Sequence, residues 1–316
     1  MSAVDLAPMR GAGMLGRLWR FARHNPGLSL SLAFLLMVLL LALFSSFLPH
    51  DAYRQNVLVR NSGPSLKYWL GTDALGRDMM ARLAVGARVS LTVAVASTII
   101  AVAIGVLVGT IAAYAGGFID NAIMRFVDSM YAFPDTLFAI LFAALIKGQL
   151  GGEASGWLAP LAEAYRLSGG LLGVLLTLGL TGWVTTSRLV RAQVLSLTHT
   201  EYVLACRLAG ASDWFIIRKH LLPNTLPVIL IAVTFVVPNA ILLEAGLSFI
   251  GVGIDPPTPS WGTMIASGAQ SIQSYPHLLV FPALAIGLTL LALNVVGDAL
   301  RDLLDPAASA ARGAAA

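Results

Sequence analysis

Long apolar runs without a charged residue constrain the fold of this chain more than any other feature. Residues 27–48 contain no charged side chain, and about 20 apolar residues are enough for a helix to cross a bilayer. The whole chain is 57% hydrophobic and 11% charged, whereas soluble proteins average about 25% charged residues. Because backbone groups in lipid must satisfy their own hydrogen bonds, we predict an all-α polytopic membrane protein.

About six transmembrane helices are predicted from these runs. A cleaved signal peptide is the alternative for the first run, but its apolar part would be about 7–15 residues long and end at an A-x-A-like site. The run at 27–48 is longer and lacks such a site, so we interpret it as a retained first span. The third span has Pro134 and Asp135 near its start and extends to about residue 146. The other spans are predicted at residues 91–116, 171–184, 228–252 and 278–297, and the short run at 171–184 is expected to extend at both ends.

Basic residues predict the orientation of the spans, since cytoplasmic loops carry an excess of Lys and Arg. The N-terminal tail is basic and is placed in the cytoplasm, so six spans return the C-terminal tail to the same side. The external loop is predicted to contain an interfacial helix at 78–88, and its many arginines fit the external side poorly. The predicted divisions are a tail, a first span, an external loop, a core domain and a second tail at residues 1–26, 27–48, 49–90, 91–300 and 301–316.

The most polar long segment of the chain is residues 201–223, which we call the elbow. Its sequence predicts two short helices joined at Gly210, because glycine enters the left-handed conformation of a helix C-terminus without steric cost. Thr200 and Ser212 are predicted N-caps, and Pro223 is predicted to end the second helix. The junction is made of small side chains that another protein could approach closely: Ala205, Cys206, Ala209, Gly210 and Ala211.

Motifs for bond chemistry are absent from the sequence. A Walker A motif needs a lysine after glycine, and none of the three lysines, Lys67, Lys147 and Lys219, follows one. The five histidines lack metal-ligand spacing, and no G-x-S-x-G motif occurs. We therefore expect no enzymatic activity, cofactor or metal in this chain. The net charge of +4 is interpreted as a topology signal and not as a nucleic-acid footprint.

A few polar or small residues inside the spans are candidates for function. Asn239 and Glu244 could line a polar pathway or make helix contacts, because carboxylates are costly in a membrane. The alternative for Glu244 and Asp298 is a solvated position near an interface. Gly105 and Gly109 form a G-x-x-x-G pair that favours close helix packing, although glycine is also common in membrane helices.

The elbow resembles the cytoplasmic coupling loop of ABC importer permeases. That loop has the pattern Glu-Ala-Ala, three residues, Gly, nine residues, Ile-x-Leu-Pro. The spacing is kept here, with departures at Leu204, Cys206 and His220, in the positions Leu204-Ala205-Cys206, Gly210 and His220-Leu221-Leu222-Pro223. Residues 71–91 and 244–265, and MRFVD at 124–128 followed by Pro134, resemble the second permease subunit of dipeptide, oligopeptide and nickel importers.

The resemblance implies a type I ABC importer permease-like fold in the bacterial plasma (inner) membrane, with both termini cytoplasmic. It implies a second homologous permease, two ATPase subunits that bind ATP and Mg, and an external solute-binding protein as partners in the bilayer. The loop at 185–225 would be the coupling loop, with ATPase-coupling residues at Glu201, Leu204, Ala205, Cys206, Gly210, Ala211, Leu222 and Pro223.

The function implied is a translocation pathway for di- or oligopeptides or a related small solute such as a nickel chelate or glutathione. The alternative is a secondary transporter driven by an ion gradient, which would need charged or broken-helix sites near the membrane midplane. For such a site the sequence offers Glu244 and little else. The chain does not identify the ligand, since specificity in such importers would lie largely in the external binding protein.

Overall fold

A computed structural model of the chain describes residues 25–152 and 156–304. Within these residues the fold is all-helical and has no strand beyond one isolated bridge between Thr72 and Asp78, so the predicted fold class is confirmed. The predicted tails lie outside the described residues, apart from residues 25–26 and 301–304. Three short 3₁₀ helices occupy Ser45–Phe47, Val57–Val59 and Gly156–Leu158.

Twelve α-helices, numbered here α1 to α12, make up the described part of the chain. In order they are Pro26–Leu43, Met79–Ala115, Gly117–Tyr131, Asp135–Leu150, Ala159–Leu167, Leu171–Thr181, Trp183–Thr198, Glu201–Leu208, Asp213–Ile216, Leu222–Ile250, Trp261–Ala269 and His277–Leu304. A π-helical turn at Ile217–Leu221 joins α9 to α10.

Four helices are long and apolar enough to cross a membrane: α1, α2, the continuous helix Asp213–Ile250, and α12. Two bent pairs also pass when each is taken together. The first is α3 with α4, bent by 89°, and the second is α5 with the helix Leu171–Thr198, bent by 110°. The described residues therefore offer four to six spans, a range that includes the predicted number.

Helix α2 corrects the predicted interfacial helix at 78–88, which is continuous with the second span. Its start is fixed by Asp78, whose carboxylate accepts hydrogen bonds from the backbone N–H groups of Met80 (2.7 Å) and Ala81 (3.1 Å). No proline interrupts the segment, and Gly86 stays helical where Trp261 packs against it. At 1.5 Å per residue the 37 residues of α2 span about 55 Å, more than the ~30 Å hydrocarbon core.

The predicted third span corresponds to α4, which begins at Asp135 directly after Pro134, but it passes as a membrane span only together with α3, and the two helices meet nearly at a right angle. The fourth span extends beyond 184, as expected: it continues from α6 into α7 and reaches Thr198. The loop predicted from residue 185 is corrected. Residues 185–198 are therefore a helix packed in the bundle and not part of a polar loop. Val190 and Val194 are fully buried there.

The long helices define two ends of the bundle. At the start of α2, Met79 clusters with Leu278 of α12. Near the end of α2, Ala113 clusters with Val203 of the elbow. Helix α12 then returns to the second end, where Ala299 packs on Leu28 of α1. We call the end with the elbow the elbow face, and the end with residues 44–78 and 253–276 the opposite face.

Carboxylates neutralise part of the positive charge on the opposite face. Asp73 contacts the Nε atoms of Arg77 at 2.7 Å and Arg82 at 3.4 Å. His50 Nδ1 lies 2.8 Å from the carboxylate of Asp78. Two of the arginines that fit the positive-inside rule poorly are therefore held in local ion pairs, which lowers the net charge that this face presents.

Helices α2 and α7 approach closely at the two glycines of the G-x-x-x-G pair. A Cβ atom on Gly105 would lie 2.7 Å from the Cβ of Thr186. A Cβ atom on Gly109 would lie only 2.4 Å from the backbone oxygen of Ser187. Atoms do not approach so closely, so only glycine permits this helix crossing at position 109.

Replacing Gly109 with alanine is therefore expected to separate α2 from α7 and to destabilise the protein by about 1–3 kcal/mol, the usual cost of overpacking. A lower thermal unfolding midpoint in detergent measures this loss. Gly246→Ala is the matched control, because Gly246 is also helical and, its own helix backbone and chain neighbours apart, no atom lies within 4 Å of the added methyl group. Equal midpoints for the two variants would contradict the close contact.

Candidate functional site

The elbow is anchored to the bundle by three fully buried side chains. Val203 of α8, Ile216 of α9 and Leu221 of the π turn have no exposed surface, and they pack with Val190 and Val194 of α7. The apolar spacing of the elbow therefore serves its attachment, while most of the side chains between these anchors are exposed.

Gly210 ends α8 in the predicted way. Its φ is +78°, and Ala211 N–H donates to the Cys206 carbonyl at 3.0 Å while Gly210 N–H donates to that of Arg207 at 3.0 Å. These two bonds form a Schellman motif. Ser212 caps α9 by accepting from Phe215 N–H at 3.4 Å.

Two details of the elbow differ from the prediction. Thr200 does not cap α8 with its side chain, because its hydroxyl donates instead to the Leu197 carbonyl at 2.6 Å. Pro223 does not end the helix, which continues to Ile250. Proline lacks an N–H, so it disrupts a regular i to i−4 ladder. Here the preceding turn is π-helical, with Leu222 N–H bonded to the Ile217 carbonyl, and Pro223 falls in the first turn of α10.

A residue from outside the elbow holds its two arms together. The hydroxyl of Tyr114, at the end of α2, donates to Asp213 at 2.5 Å, and the Arg207 guanidinium lies 5.1 Å from the Tyr114 ring centroid. Sequence reasoning did not find Tyr114, because it lies in an apolar span far along the chain from the elbow.

His220 fills the space between the arms of the elbow. Its Nε2 lies 3.7 Å from Cys206 Sγ, and its ring centroid is 6.0 Å from that of Tyr202 and 5.5 Å from that of Phe215. Both His220 and Cys206 depart from the family pattern, and the structure brings the two departures into contact with each other.

The exposed surface of the elbow carries large apolar side chains among charged ones such as Arg207, Arg218 and Lys219. Leu208 is 91% exposed and Trp214 is 66% exposed. The predicted coupling residues fall into two groups. Glu201, Leu204, Ala205, Gly210 and Pro223 are exposed, while Cys206, Ala211 and Leu222 are half-buried. Large apolar side chains exposed outside the packed helices fit an interaction site for another protein.

A cavity of about 200 Å³ lies between α2, α4, the α6–α7 junction and α10. It brings together polar side chains from all four, and the apolar residues around them include Phe235 and Leu243. Asn239 lines this cavity. Of its two roles considered from the sequence, a polar pathway or a helix contact, this position fits the first. The polar lining consists of Ser97, Asp135, Thr181, Thr185 and Asn239.

Glu244 does not line this cavity. It is fully buried, and its carboxylate accepts hydrogen bonds from the hydroxyls of Ser90 at 3.0 Å and Ser248 at 2.8 Å. Ser90 in turn accepts from the backbone N–H of Trp261 at 3.3 Å. Glu244 therefore joins α2, α10 and the start of α11, and its burial leaves no solvated surface at an interface.

Glu244→Ala is expected to lower the thermal unfolding midpoint in detergent, because it leaves buried hydroxyl groups without their acceptor at about 1–3 kcal/mol each. Asn239→Ala is the matched control, since Asn239 is exposed and its removal leaves no buried group without a hydrogen-bond partner. Unchanged stability of the Glu244 variant would show that the carboxylate is not a packing group.

A family model described as the binding-protein-dependent transport system inner membrane component matches residues 105–310. The dipeptide transport system permease protein DppC of Bacillus subtilis is 41% identical to this chain over 91% of it and 84% of the relative. OppC, the oligopeptide transport system permease protein of the same organism, is 37% identical, with 92% and 90% covered. The glutathione transport system permease protein GsiD of Pectobacterium atrosepticum is 35% identical, with 91% and 89% covered.

A solved structure supports the fold. An inward-facing form of the MetNI methionine ABC transporter has a chain that matches with a TM-score of 0.55 at 17% identity, covering 72% of this chain and 98% of that one. Such low identity concerns the fold alone. With the family model and the relatives, however, these matches establish that the chain belongs to the family of inner membrane components of binding-protein-dependent transport systems.

Proposed function

We propose that this chain forms one half of the membrane pathway of an ATP-driven importer of short peptides. One observation carries the proposal: the elbow presents exposed apolar side chains at one end of a membrane bundle, in a chain without a nucleotide-binding motif. Peptides are the favoured substrate class because the relatives include dipeptide, oligopeptide and glutathione permeases.

The elbow is the surface on which an ATPase subunit would dock. Leu208 and Trp214 supply apolar contact area, and the left-handed turn at Gly210 brings the two arms of the elbow together. ATP and Mg would be bound by two such ATPase subunits, so this chain would have no catalytic role. Because ATP is cytoplasmic, the elbow face is the cytoplasmic face, and α1 begins and α12 ends there.

The membrane cavity is the proposed contribution of this chain to the pathway. Asp135, Thr185 and Asn239 provide polar groups for a hydrated solute, and Phe235 and Leu243 provide apolar contacts. A second, homologous permease would complete the pathway. An external solute-binding protein would deliver the ligand at the opposite face. The alternative of an ion-gradient-driven transporter loses the candidate charge that the sequence offered for it, because Glu244 is held between helices by serine hydroxyls.

Transport by the purified complex tests the function. The chain is reconstituted in liposomes with its partner permease, ATPase subunits and binding protein, and uptake of radiolabelled dialanine, trialanine and glutathione is measured. We expect uptake of at least one of the three to require ATP and to persist when ionophores collapse ion gradients. Uptake driven by an ion gradient without ATP would refute the proposal.

The docking surface gives a separate prediction. Leu208→Glu and Trp214→Ala are expected to reduce co-purification of the ATPase subunits at least tenfold, if these side chains are central to the interface. Leu66→Glu is the matched control, because Leu66 is fully exposed but lies on the opposite face. Normal ATPase recovery with both elbow variants would exclude docking at this surface.

A further inference from the structure

Two Asp–Arg pairs fix α3 to α7 on the elbow face. The oxygens of Asp120 contact Nε and Nη2 of Arg191, both at 2.5 Å, in a bidentate arrangement. Asp128 pairs with Arg188, whose guanidinium also lies 4.3 Å from the Tyr131 ring centroid. The two arginines are three residues apart and therefore lie on one side of α7. The positive-inside rule would explain the two arginines on this face, but it does not explain why each is paired with an aspartate.

Helix α3 is a short arm with a change of direction at each end. Before it, Gly116 and Gly117 both have positive φ, 63° and 53°, so the chain turns sharply out of α2. After it, the chain bends by 89° into α4. The arm therefore does not continue either neighbouring helix, and its contacts with α2 and α7 decide where it lies.

The two paired helices connect the elbow to two parts of the cavity wall. Helix α7 carries Thr185 in the cavity wall, then Arg188 and Arg191, and it ends directly before the elbow. Helix α3 carries the two aspartates and leads into α4, which begins with Asp135 in the same cavity. The ion pairs therefore lie between the candidate ATPase-docking segment and a wall of the candidate pathway.

We propose that Asp120, Asp128, Arg188 and Arg191 are positioning residues that make the α3–α4 wall follow α7 when the elbow moves. This inference rests on the proposed function, because it assigns a route for movement that the ATPase subunits would generate. With the pairs intact, displacement of α7 carries α3 with it and changes the width of the cavity. With the pairs broken, α7 moves past α3, and ATP hydrolysis proceeds without the corresponding transport.

The two pairs differ in burial, and this difference separates coupling from folding. The side chains of Asp128 and Arg188 are 62% and 39% exposed, and such surface pairs contribute little to stability. Asp120 is 9% exposed, so removal of Arg191 alone would leave a mostly buried carboxylate without its partner. The exposed pair is therefore the better target for single substitutions, and the buried pair for an exchange of charges.

The test measures the number of peptide molecules imported per ATP hydrolysed by the reconstituted complete complex. The peptide is whichever of dialanine, trialanine and glutathione the wild-type complex imports. Asp128→Asn and Arg188→Gln are expected to lower this ratio about fivefold or more, with normal yield of the assembled complex, if their coupling is of the usual allosteric size. Arg166→Gln, which removes an exposed arginine on the opposite face, is the matched control and is expected to keep the wild-type ratio.

The buried pair provides a second arm. Asp120→Arg and Arg191→Asp are each expected to lower the ratio, and the double exchange is expected to restore most of it. Failure of wild-type import with ATP would refute the proposed function itself. The inference alone would be overturned if the wild type imports peptide and Asp128→Asn and Arg188→Gln leave the ratio unchanged. It would also be overturned if the variants yield less assembled complex but the complex that remains keeps the wild-type ratio.

Discussion

The close crossing of α2 and α7 is the contact on which the rest of the structure depends. Lipid tails are as apolar as leucine, so helices in a membrane gain little from burying leucine and must associate through close backbone approach and polar contacts. Gly105 and Gly109 allow that approach, and the buried Thr186 and Ser187 lie against them. Because α7 leads into the elbow and α2 ends beside it at Tyr114, the same crossing fixes where the elbow leaves the bundle.

Polar groups in the bundle follow a consistent division. Glu244 is fully buried and satisfied by the hydroxyls of Ser90 and Ser248, which fits a group that holds helices together. Asp120 is matched by an arginine at the edge of the bundle. Asn239 and Asp135 instead line a cavity. An intramembrane polar residue is therefore better interpreted through what accepts or donates to it than through its type.

Sequence reasoning found the all-helical class, the approximate spans and the left-handed turn at Gly210, because each depends on local composition or on one residue's backbone freedom. It failed where the local structure is decided by residues that are distant along the chain. The helix continues through Pro223 because a π turn precedes it, and no residue type predicts a π turn. The helical segment 185–198 is held in the bundle by its packing against α2, a helix far away in sequence, where Val190 and Val194 are fully buried. The roles of Tyr114 and His220 likewise arise from contacts made only in the folded chain.

The unbroken helix from Asp213 to Ile250 has a mechanical consequence. Its 38 residues have a length of about 57 Å, so the second arm of the elbow and the wall residue Asn239 belong to one lever. A tilt of about 5° about one end would displace the other end by about 5 Å, which is the rise of one helical turn. Pro227 and Pro238 lie within the lever, and each removes a backbone hydrogen bond, so they are the points at which it can yield. The displacement caused by a small tilt at the elbow would thus grow along the helix toward Asn239, with no loop in between.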